Sequence, residues 1–276
     1  MRVATMNLWG VRGAWAERRS VLIEGFRTVQ PDIISVQEAI KTADYDQVID
    51  VLGPEYHVAY QRTPEPDGQS AAIASRFPFA DVREIDLHVT PRVDSAATTL
   101  VAEVVVPEPI GRVLLLNHLP TWQLNFELER ELQASAAARF VEERIGQRNI
   151  HVVLAGDLTD PPDAASVRLW SGRQSLHGTS VCYRDAWEST HGDDPGETYT
   201  PSNPILADWD WPFRRLDYVF VRCGAHGGPT LAISSCTRIF DRPVDGVWAS
   251  DHFGVVADLE IPTRAPPPPP NLAAEE

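Results

Sequence analysis

Six short segments of the sequence combine an apolar run with side chains that can bind a metal ion or transfer a proton. Five of them end the run in polar residues, and the sixth places an acid inside it. In chain order the segments are Met6-Asn7, Gln37-Glu38, Asn117-His118, Gly156-Asp157, Arg215-Leu216-Asp217-Tyr218 and Ser250-Asp251-His252. Each segment alone is typical of an ordinary turn or helix cap. Together they predict one cleft, because buried strands rarely end in charge without a reason.

These residue types suit the hydrolysis of phosphate esters. Such esters are anionic and repel nucleophiles, and a metal ion together with imidazole groups offsets that charge. A buried acid behind a histidine fixes the tautomer of the ring and raises its basicity. Other catalytic signatures are missing from the sequence, which has no Walker A loop, no G-x-S-x-G elbow and no H-E-x-x-H.

The elements that must position these residues follow from the pattern of apolar positions. A strand at 2–8, a helix at 14–29 and a strand at 32–36 predict a β-α-β opening with buried strands. Further helices are expected at 45–52, 123–144 and 164–170. Further strands are expected at 56–61, 71–75, 82–88, 98–106, 112–116, 151–154, 216–221, 231–236 and 253–260. This order favours two packed sheets with helices outside.

Composition narrows the class of protein. The 276 residues are 43% hydrophobic and 23% charged, as in a globular domain with a large core. Three cysteines without a C-x-x-C pair predict reduced core thiols. The sequence shows no apolar run of membrane-spanning length and no signal-peptide layout, so a cytoplasmic location is expected. The proline-rich tail at 263–276 is predicted to be a disordered extension.

Seven motifs make the sequence resemble the endonuclease/exonuclease/phosphatase superfamily. In chain order they are ATMNLWG, IISVQEA, AAIASRFP, LLLNHLP, VLAGDLTDPPD, RRLDYVFV and ASDHFGVVADL, which span residues 3 to about 260. That superfamily includes DNase I-like nucleases, apurinic endonucleases, inositol polyphosphate 5-phosphatases and neutral sphingomyelinases. The resemblance implies an α/β fold, a four-layer αββα sandwich of two mixed sheets flanked by helices. We expect one domain over residues 1–262, made of the halves 1–150 and 151–262, with the active site where their strand ends meet.

The resemblance also implies a metal site. Glu38 would be the principal carboxylate ligand of a Mg²⁺ ion, and Mn²⁺ could take its place. Asn7 and Asp251 would complete the site, directly or through water. Few protein groups are needed, because Mg²⁺ prefers oxygen ligands and keeps several waters.

Roles in catalysis follow from the same resemblance. Asp157 would orient or deprotonate the attacking water. His252 would lie beside the scissile phosphate, and Asp217 would hold its imidazole in one orientation. His118 would be a second histidine facing the phosphate, stabilising the charge that forms in the transition state.

Two positions depart from the family pattern. Thr159 stands where the family usually has the asparagine of Gly-Asp-x-Asn, and Asp160 follows it. Either the Thr159 hydroxyl holds a water or a phosphate oxygen, or Asp160 substitutes for the missing amide. Gln69, followed by Ser70, stands where the family often has Asn-Gly, and we expect it to reach a phosphate oxygen.

The charge of the chain bears on its substrate. The net charge is −15, from 24 basic and 39 acidic residues, whereas nucleic-acid binders usually carry a basic face. The segment 198–213 is aromatic and acidic, with Trp209 and Trp211 beside Asp208 and Asp210. These tryptophans are expected to line a substrate mouth, and packing over the sheet edge is the alternative. Such a rim suits a compact ligand.

The sequence therefore predicts a Mg²⁺-dependent hydrolase that cleaves a phosphodiester or phosphomonoester bond of a small or lipid substrate. A DNA or RNA nuclease of the same fold is the first alternative, with nucleic acid disfavoured as a partner by the net charge. A non-catalytic binding module that has kept only the fold is the second. Nothing in the sequence indicates the oligomeric state.

Overall fold

Apolar runs that are buried on both faces form the central strands of the fold. The structure is a computed structural model, and it describes residues 1–146, 148, 150–208, 210–225 and 227–263. In it, β1 (Arg2–Asn7) and β2 (Ile33–Ile40) are parallel neighbours joined by the helix α1 (Trp15–Val29). This is the β-α-β opening that the sequence predicts.

Six strands form the first sheet. Four of them come from the N-terminal part of the chain and two from its C-terminal part: β1, β2, β3 (His57–Tyr60), β4 (Gln69–Ser75), β11 (Ala232–Ile239) and β12 (Gly254–Glu260). Their order across the sheet is β11-β12-β1-β2-β4-β3. β1 is antiparallel to β12 and parallel to β2, so this sheet is mixed. Helices α1 and α2 (Gln47–Leu52) pack on its outer face.

Six further strands form the second sheet. They are β5 (Phe79–Asp86), β6 (Thr98–Val105), β7 (Arg112–Leu119), β8 (His151–Asp157), β9 (Tyr183–Asp185) and β10 (Asp217–Arg222). Their order is β5-β6-β7-β8-β10-β9, and the parallel pair β7–β8 makes this sheet mixed as well. Helices α3 (Glu127–Ile145) and α4 (Ala165–Trp170) pack on its outer face, and α5 (Ala186–His191) follows β9.

The two sheets pack face to face, which confirms the predicted αββα sandwich. Val3 and Ile33 of the first sheet lie in one apolar cluster with Leu115 and Val153 of the second. Ala4, the residue next to Val3, belongs instead to the cluster under α1. Successive side chains thus alternate between the inter-sheet core and the helices, and both faces of each sheet are covered.

The two sheets do not divide the chain at a single point. The second sheet takes all its strands from residues 79–222, and the first is built from both ends of the chain. The reason is that β12 inserts between β1 and β11, so the C-terminal strands complete the N-terminal sheet.

One strand and one α-helix were not predicted, and the predicted tail cannot be compared with the structure. The strand β9 has only three residues and α5 only six, too few for either to show a hydrophobic period. The predicted proline-rich tail lies, from residue 264 onward, outside the described residues. Among the residues that the structure describes, no helix has the length and apolar character needed to cross a membrane.

Candidate active site

A buried polar bridge joins the two sheets beneath the site. Gln37 Nε2 donates to Asn117 Oδ1 at 2.7 Å, and Thr5 Oγ1 donates to Gln37 Oε1 at 3.2 Å. Asn117 Nδ2 donates to the carbonyl oxygens of Val36 (2.9 Å) and Ala72 (2.8 Å). A buried network with satisfied partners is rigid and specifies one arrangement. The bridge therefore fixes the ends of β1, β2 and β7 relative to one another.

Glu38 faces the cleft because β2 carries a β-bulge. The pairing of β2 with β4 shifts between Val36 and Ala39, and Glu38 itself has a φ of 54°. Bulges of this kind re-aim a side chain and are frequent beside active sites. The strand therefore continues beyond Glu38 to Ile40, whereas the sequence placed the strand end before it.

Asn7 links two of the predicted acids. Its Nδ2 donates to Glu38 Oε1 at 3.0 Å and to Asp157 Oδ2 at 3.1 Å. Its Oδ1 accepts from the backbone N–H of Trp9 at 2.9 Å. In this orientation Asn7 presents its amide nitrogen to the carboxylates, so it acts in the site as their hydrogen-bond donor and spacer.

Asp157, Asp217 and His252 form a compact buried cluster. Ligand-type atoms of the three side chains lie within 4.8 Å of one another. His252 Nδ1 donates to Asp217 Oδ2 at 2.9 Å, and Thr198 Oγ1 donates to the same oxygen at 2.6 Å. His252 Nε2 lies 3.9 Å from Asp157 Oδ2, which is too long for a hydrogen bond. The Nε2–H is therefore available to a third group that enters between them.

For both Asp157 and His252, burial and the neighbouring charges shift the pKa in opposite directions. Burial raises the pKa of Asp157 to about 7, against the positive charge of His252, which lowers it. Burial lowers the pKa of His252, but the charges of Asp217 and Asp157 outweigh burial and raise it well above its usual value. The arrangement gives a proton acceptor that titrates near neutrality beside an imidazolium that keeps its proton.

Asp251 precedes His252 and is held by its neighbours. Ser250 Oγ donates to Asp251 Oδ1 at 3.1 Å and also to the Asn7 carbonyl at 2.8 Å. Asn203, which is fully buried, donates through Nδ2 to the Ser250 carbonyl at 2.8 Å. The sequence analysis did not identify Asn203, because its partners are backbone atoms of a segment that lies far away along the chain.

Negative and positive charges lie together at the predicted metal site. Burial raises the pKa of Asp251, and the negative charge of Glu38 raises it further, against the positive charge of His252. Arg12 supplies positive charge at this place, since its Nη1 lies 2.7 Å from Glu38 Oε2. The carboxylates of Glu38 and Asp251 offer oxygen ligands, which are the kind that Mg²⁺ and Mn²⁺ prefer.

Arg18 is a second residue that the sequence analysis missed. Its guanidinium is buried and donates to backbone carbonyls from two loops of the site, those of Leu8, Gly10, Arg12 and Ala249. Burial lowers the pKa of Arg18 to about 10, which leaves the side chain charged at neutral pH. Arg18 therefore ties the loop after Asn7 to the loop before Asp251. No sequence signal marks this role, because carbonyl acceptors exist at every residue.

His118 is buried more deeply than the sequence analysis expected. Its Nδ1 hydrogen-bonds with Thr99 Oγ1 at 2.7 Å, and its ring contacts Trp170 edge to face at 5.9 Å. Burial lowers the pKa of His118 to about 3, so the ring is neutral at physiological pH. Its contribution to binding an anion is limited to a hydrogen bond and excludes a full positive charge. Gly156 lies against it, since a Cβ there would meet the His118 carbonyl oxygen at 2.3 Å.

Thr159 lines the cleft, and Asp160 does not substitute for it. Thr159 has a φ of 62°, its N–H donates to Asp157 Oδ1 at 2.9 Å, and its carbonyl accepts from Arg214 Nη2 at 2.9 Å. Asp160 is buried beside Arg130 at 2.7 Å and accepts from Ser166 Oγ at 2.6 Å. The alternative in which Asp160 takes the place of the missing amide therefore lacks support, because its carboxylate is already engaged.

A cleft of about 460 Å³ opens above these residues. The side chains that line it include Arg12, Glu38, Gln69, Trp122, Asp157 and Thr159. Gln69 Oε1 accepts from Arg12 Nη2 at 2.7 Å, so Gln69 lies at the site as predicted but is bonded to an arginine. Trp122 is 55% exposed, and its ring lies 6.1 Å from that of Trp211.

Of the two tryptophans predicted at the rim, the structure describes only Trp211. Trp211 borders the cleft through Trp122 and also packs against the apolar cluster of Tyr199, Leu206 and Leu216. The Trp211 ring thus lies beside a residue that lines the cleft and is itself partly buried, and its part in binding a substrate stays a prediction. Trp209 lies outside the described residues.

Comparisons with known proteins agree with this fold. The model of the Endonuclease/Exonuclease/phosphatase family matches residues 4–252. Truncated TDP2 of Caenorhabditis elegans superposes with a TM-score of 0.73 at 20% identity, over 94% of this chain and 97% of that chain. The TDP2 of D. rerio, complexed with single strand DNA product, gives a TM-score of 0.72 at 22% identity, over 93% and 97% of the two chains.

A third solved structure extends this comparison. The human Nocturnin catalytic domain with bound sulfate anion gives a TM-score of 0.70 at 17% identity, over 95% of this chain and 94% of that chain. At these identities the likeness concerns the fold. No curated protein matches the chain by sequence.

The fold and the cluster of acids and imidazole are those of a phosphoester-cleaving hydrolase. The family model covers nearly the whole chain. The chain belongs to the endonuclease/exonuclease/phosphatase family.

Proposed function

We propose that this protein is a Mg²⁺-dependent hydrolase that cleaves the phosphodiester or phosphomonoester bond of a small or lipid substrate. One observation carries the proposal: Asn7 bridges Glu38 and Asp157, and Asp157 in turn lies beside His252 and its partner Asp217. A carboxylate for a cation, a base and an acid therefore share one cleft.

Glu38 and Asp251 would hold the metal ion, with Asn7 keeping Glu38 in place. When bound, the ion supplies a Lewis acid for the phosphoryl oxygens and neutralises part of their charge. Arg12 forms an ion pair with the Glu38 carboxylate, so Arg12 and the metal ion would compete for it. Binding of the ion would free Arg12, whose side chain lines the cleft, to face the negative charge of the substrate.

Asp157 serves as the general base. Its two oxygens accept from the Asn7 amide and from the Thr159 N–H, which fixes the plane of the carboxylate. Because burial raises its pKa to about 7, Asp157 binds a proton more strongly than an exposed aspartate does. A base whose pKa lies near the working pH is efficient at removing a proton from an attacking water.

His252 serves as the general acid or as the donor to a phosphoryl oxygen. Its Nδ1–H is committed to Asp217, so the proton that it can give or share is on Nε2. Thr198 bonds the same Asp217 oxygen and holds the acid against the ring. Tyr199 packs against His252 with ring centroids 4.8 Å apart, which restricts the imidazole further.

Thr159 lines the cleft as a neutral group, and His118 is a neutral, buried ring. The low pKa of His118 allows it to donate a hydrogen bond without carrying charge. Thr159 offers a hydroxyl at the place where the family pattern has an amide. Because neither residue carries charge, the negative charge of the substrate would be balanced by Arg12, His252 and the cation.

The rim of the cleft supports a small or lipid substrate. Trp122, together with Trp211, gives it an exposed aromatic wall, which suits an apolar or hydroxyl-rich body. The net charge of −15 repels a polyanion over most of the surface. We propose a nuclease as the second function, because D. rerio TDP2, a protein of the same fold, is complexed with single strand DNA product.

The proposal is tested by a panel of phosphodiesters, phosphomonoesters, single-stranded DNA and duplex DNA, each with Mg²⁺ and with excess EDTA. We expect metal-dependent turnover of a small or lipid ester that Asp157→Asn abolishes. The exposed Asp163→Asn is the matched control and should keep full activity. Turnover that survives both EDTA and Asp157→Asn would refute the site. DNA cleaved as well as every small ester would promote the nuclease function.

A further inference from the structure

Two thiols face each other at the end of the β9–β10 strand pair. Tyr183 pairs with Arg222 in the antiparallel register, so the next opposed residues are Cys182 and Cys223. The Cys223 N–H donates to the Cys182 carbonyl at 2.9 Å, which continues the ladder by one step. Directly opposed residues project to the same side of a sheet, with Cβ atoms about 4.5–5.5 Å apart.

The two thiols differ in access to solvent. Cys182 is exposed, whereas Cys223 is buried. Burial raises the pKa of Cys223 to about 11, and the adjacent Cys182 thiol raises it further, against the charges of Arg184 and Arg222. A hydroperoxide therefore reaches Cys182 first, with Cys223 as the sulfur behind it. The prediction of three core thiols is wrong for Cys182 for the same reason: its position at the start of an edge strand leaves it open to solvent.

Only a glycine fits beside the Cys182 side chain. Gly172 lies next to it, and a Cβ at that glycine would come within 3.1 Å of Cys182 Sγ. The third cysteine, Cys236, lies on β11 in the inter-sheet core, buried at 3% exposure. Of the three thiols, Cys182 and Cys223 thus form an opposed pair with one exposed member, and Cys236 is an internal control.

We propose that Cys182 and Cys223 are a reversible oxidation site that a hydroperoxide converts into an intramolecular disulfide. In the first step the Cys182 sulfur attacks the peroxide O–O bond, becomes a sulfenic acid, and releases the other oxygen as water or an alcohol. In the second step the Cys223 sulfur attacks the Cys182 sulfur, and the hydroxyl leaves as water with the Cys223 proton. Two thiols are oxidised, and one peroxide is reduced.

The pair should be reduced at rest and oxidised only under stress. In a reducing compartment, which the sequence predicts for this chain, glutathione and thioredoxin keep accessible thiols reduced. A bridge between directly opposed strand residues departs from relaxed disulfide geometry, and strained disulfides are the ones that are readily reduced. The disulfide would link the two ends of the segment 182–223, which carries Thr198, Asn203 and Asp217.

The experiment measures the intact mass of the full chain after treatment with hydrogen peroxide, without reductant. Cys223 and Cys236 fall on one tryptic peptide, because no lysine or arginine lies between Arg222 and Arg238. The variant Cys236→Ser is therefore the background, so that only one pair of thiols remains. We expect a loss of about 2 Da, the mass of two hydrogens, which dithiothreitol reverses.

Adding Cys182→Ser or Cys223→Ser to this background should abolish the loss. The variant that keeps Cys182 should instead gain oxygen, in steps of about 16 Da. Should Cys223→Ser fail to fold by circular dichroism, Cys223→Ala replaces it. A cross-linked peptide that joins Cys182 to Cys223 in the Cys236→Ser chain is the second measurement. Oxygen addition without the 2 Da loss, or a covalent dimer on a non-reducing gel, would overturn the proposal.

Discussion

Replacing Asp217 by asparagine tests the core of the proposed mechanism. The Oδ2 atom of Asp217 accepts from both His252 and Thr198, and its buried Oδ1 has no hydrogen-bond partner. An asparagine can keep both accepted bonds through its amide oxygen, but its NH₂ group then lies in the place of Oδ1. A buried donor without a partner costs about 1–3 kcal/mol. We therefore expect Asp217→Asn to lower the free energy of unfolding by about that amount.

The loss of unfolding free energy in Asp217→Asn should depend on pH, and the raised pKa of His252 sets the direction of that dependence. The pKa of His252 is raised in the folded protein, so its pairing with Asp217 stabilises the fold fully below about pH 6.5, the usual histidine pKa. That contribution is lost as the pH rises through the higher folded-state pKa. The difference between wild type and Asp217→Asn should be larger at about pH 6 than at a pH above the folded-state pKa of His252, where only the orphan amide remains.

Urea denaturation in EDTA at the two pH values measures this difference, with Asp163→Asn as the control. On the substrate that the panel identifies, His252→Ala should lower kcat by about 10²–10⁴-fold, as expected for the loss of a general acid. Asp217→Asn should lower it less, because the imidazole stays in place. An unfolding difference that is equal at both pH values would refute the imidazolium–carboxylate pair.

Three further changes probe the rest of the site. Glu38→Gln should abolish Mg²⁺ binding in calorimetry, and unchanged affinity would place the metal elsewhere. Arg12→Ala should tighten Mg²⁺ binding up to about fivefold in the same assay, since an exposed ion pair is worth about 0.2–1 kcal/mol; weaker binding would show that Arg12 does not compete. Thr159→Asn should raise the free energy of unfolding by roughly 1 kcal/mol in urea, because Asn tolerates the left-handed backbone better than a β-branched residue, and a loss would contradict this.

The strand ends could be predicted from the sequence because they combine two local signals. A buried run followed by an acid or an amide marks Asn7 and Asp157, and His252 lies just before the buried run of β12. These side chains do meet in the structure. The direction in which Glu38 points could not be predicted, because it depends on a bulge whose extra residue becomes visible only once β2 is paired with β4.

Residues that hold the site through the backbone escaped prediction for a different reason. Arg18 and Asn203 bond carbonyl oxygens of loops that are distant along the chain. Every residue offers a carbonyl, so neither composition nor spacing distinguishes the partners. The neutral state of His118 escaped as well, because it results from the depth of burial, which depends on both β7 and the helix that carries Trp170.

The pairing of the first strand with the last has a consequence for how the protein is made. β12 pairs with β1, Met1 N donates to the Leu259 carbonyl at 2.8 Å, and Asn7 lies next to Ser250. A ribosome delivers the residues in order, so Asn7 and Glu38 wait for more than two hundred residues of synthesis before Asp251 and His252 join them. On the proposed mechanism, the nascent chain would therefore be unable to cleave phosphoesters until β12 and the residues before it have been made, and a chain released early would be inactive as well as incompletely folded.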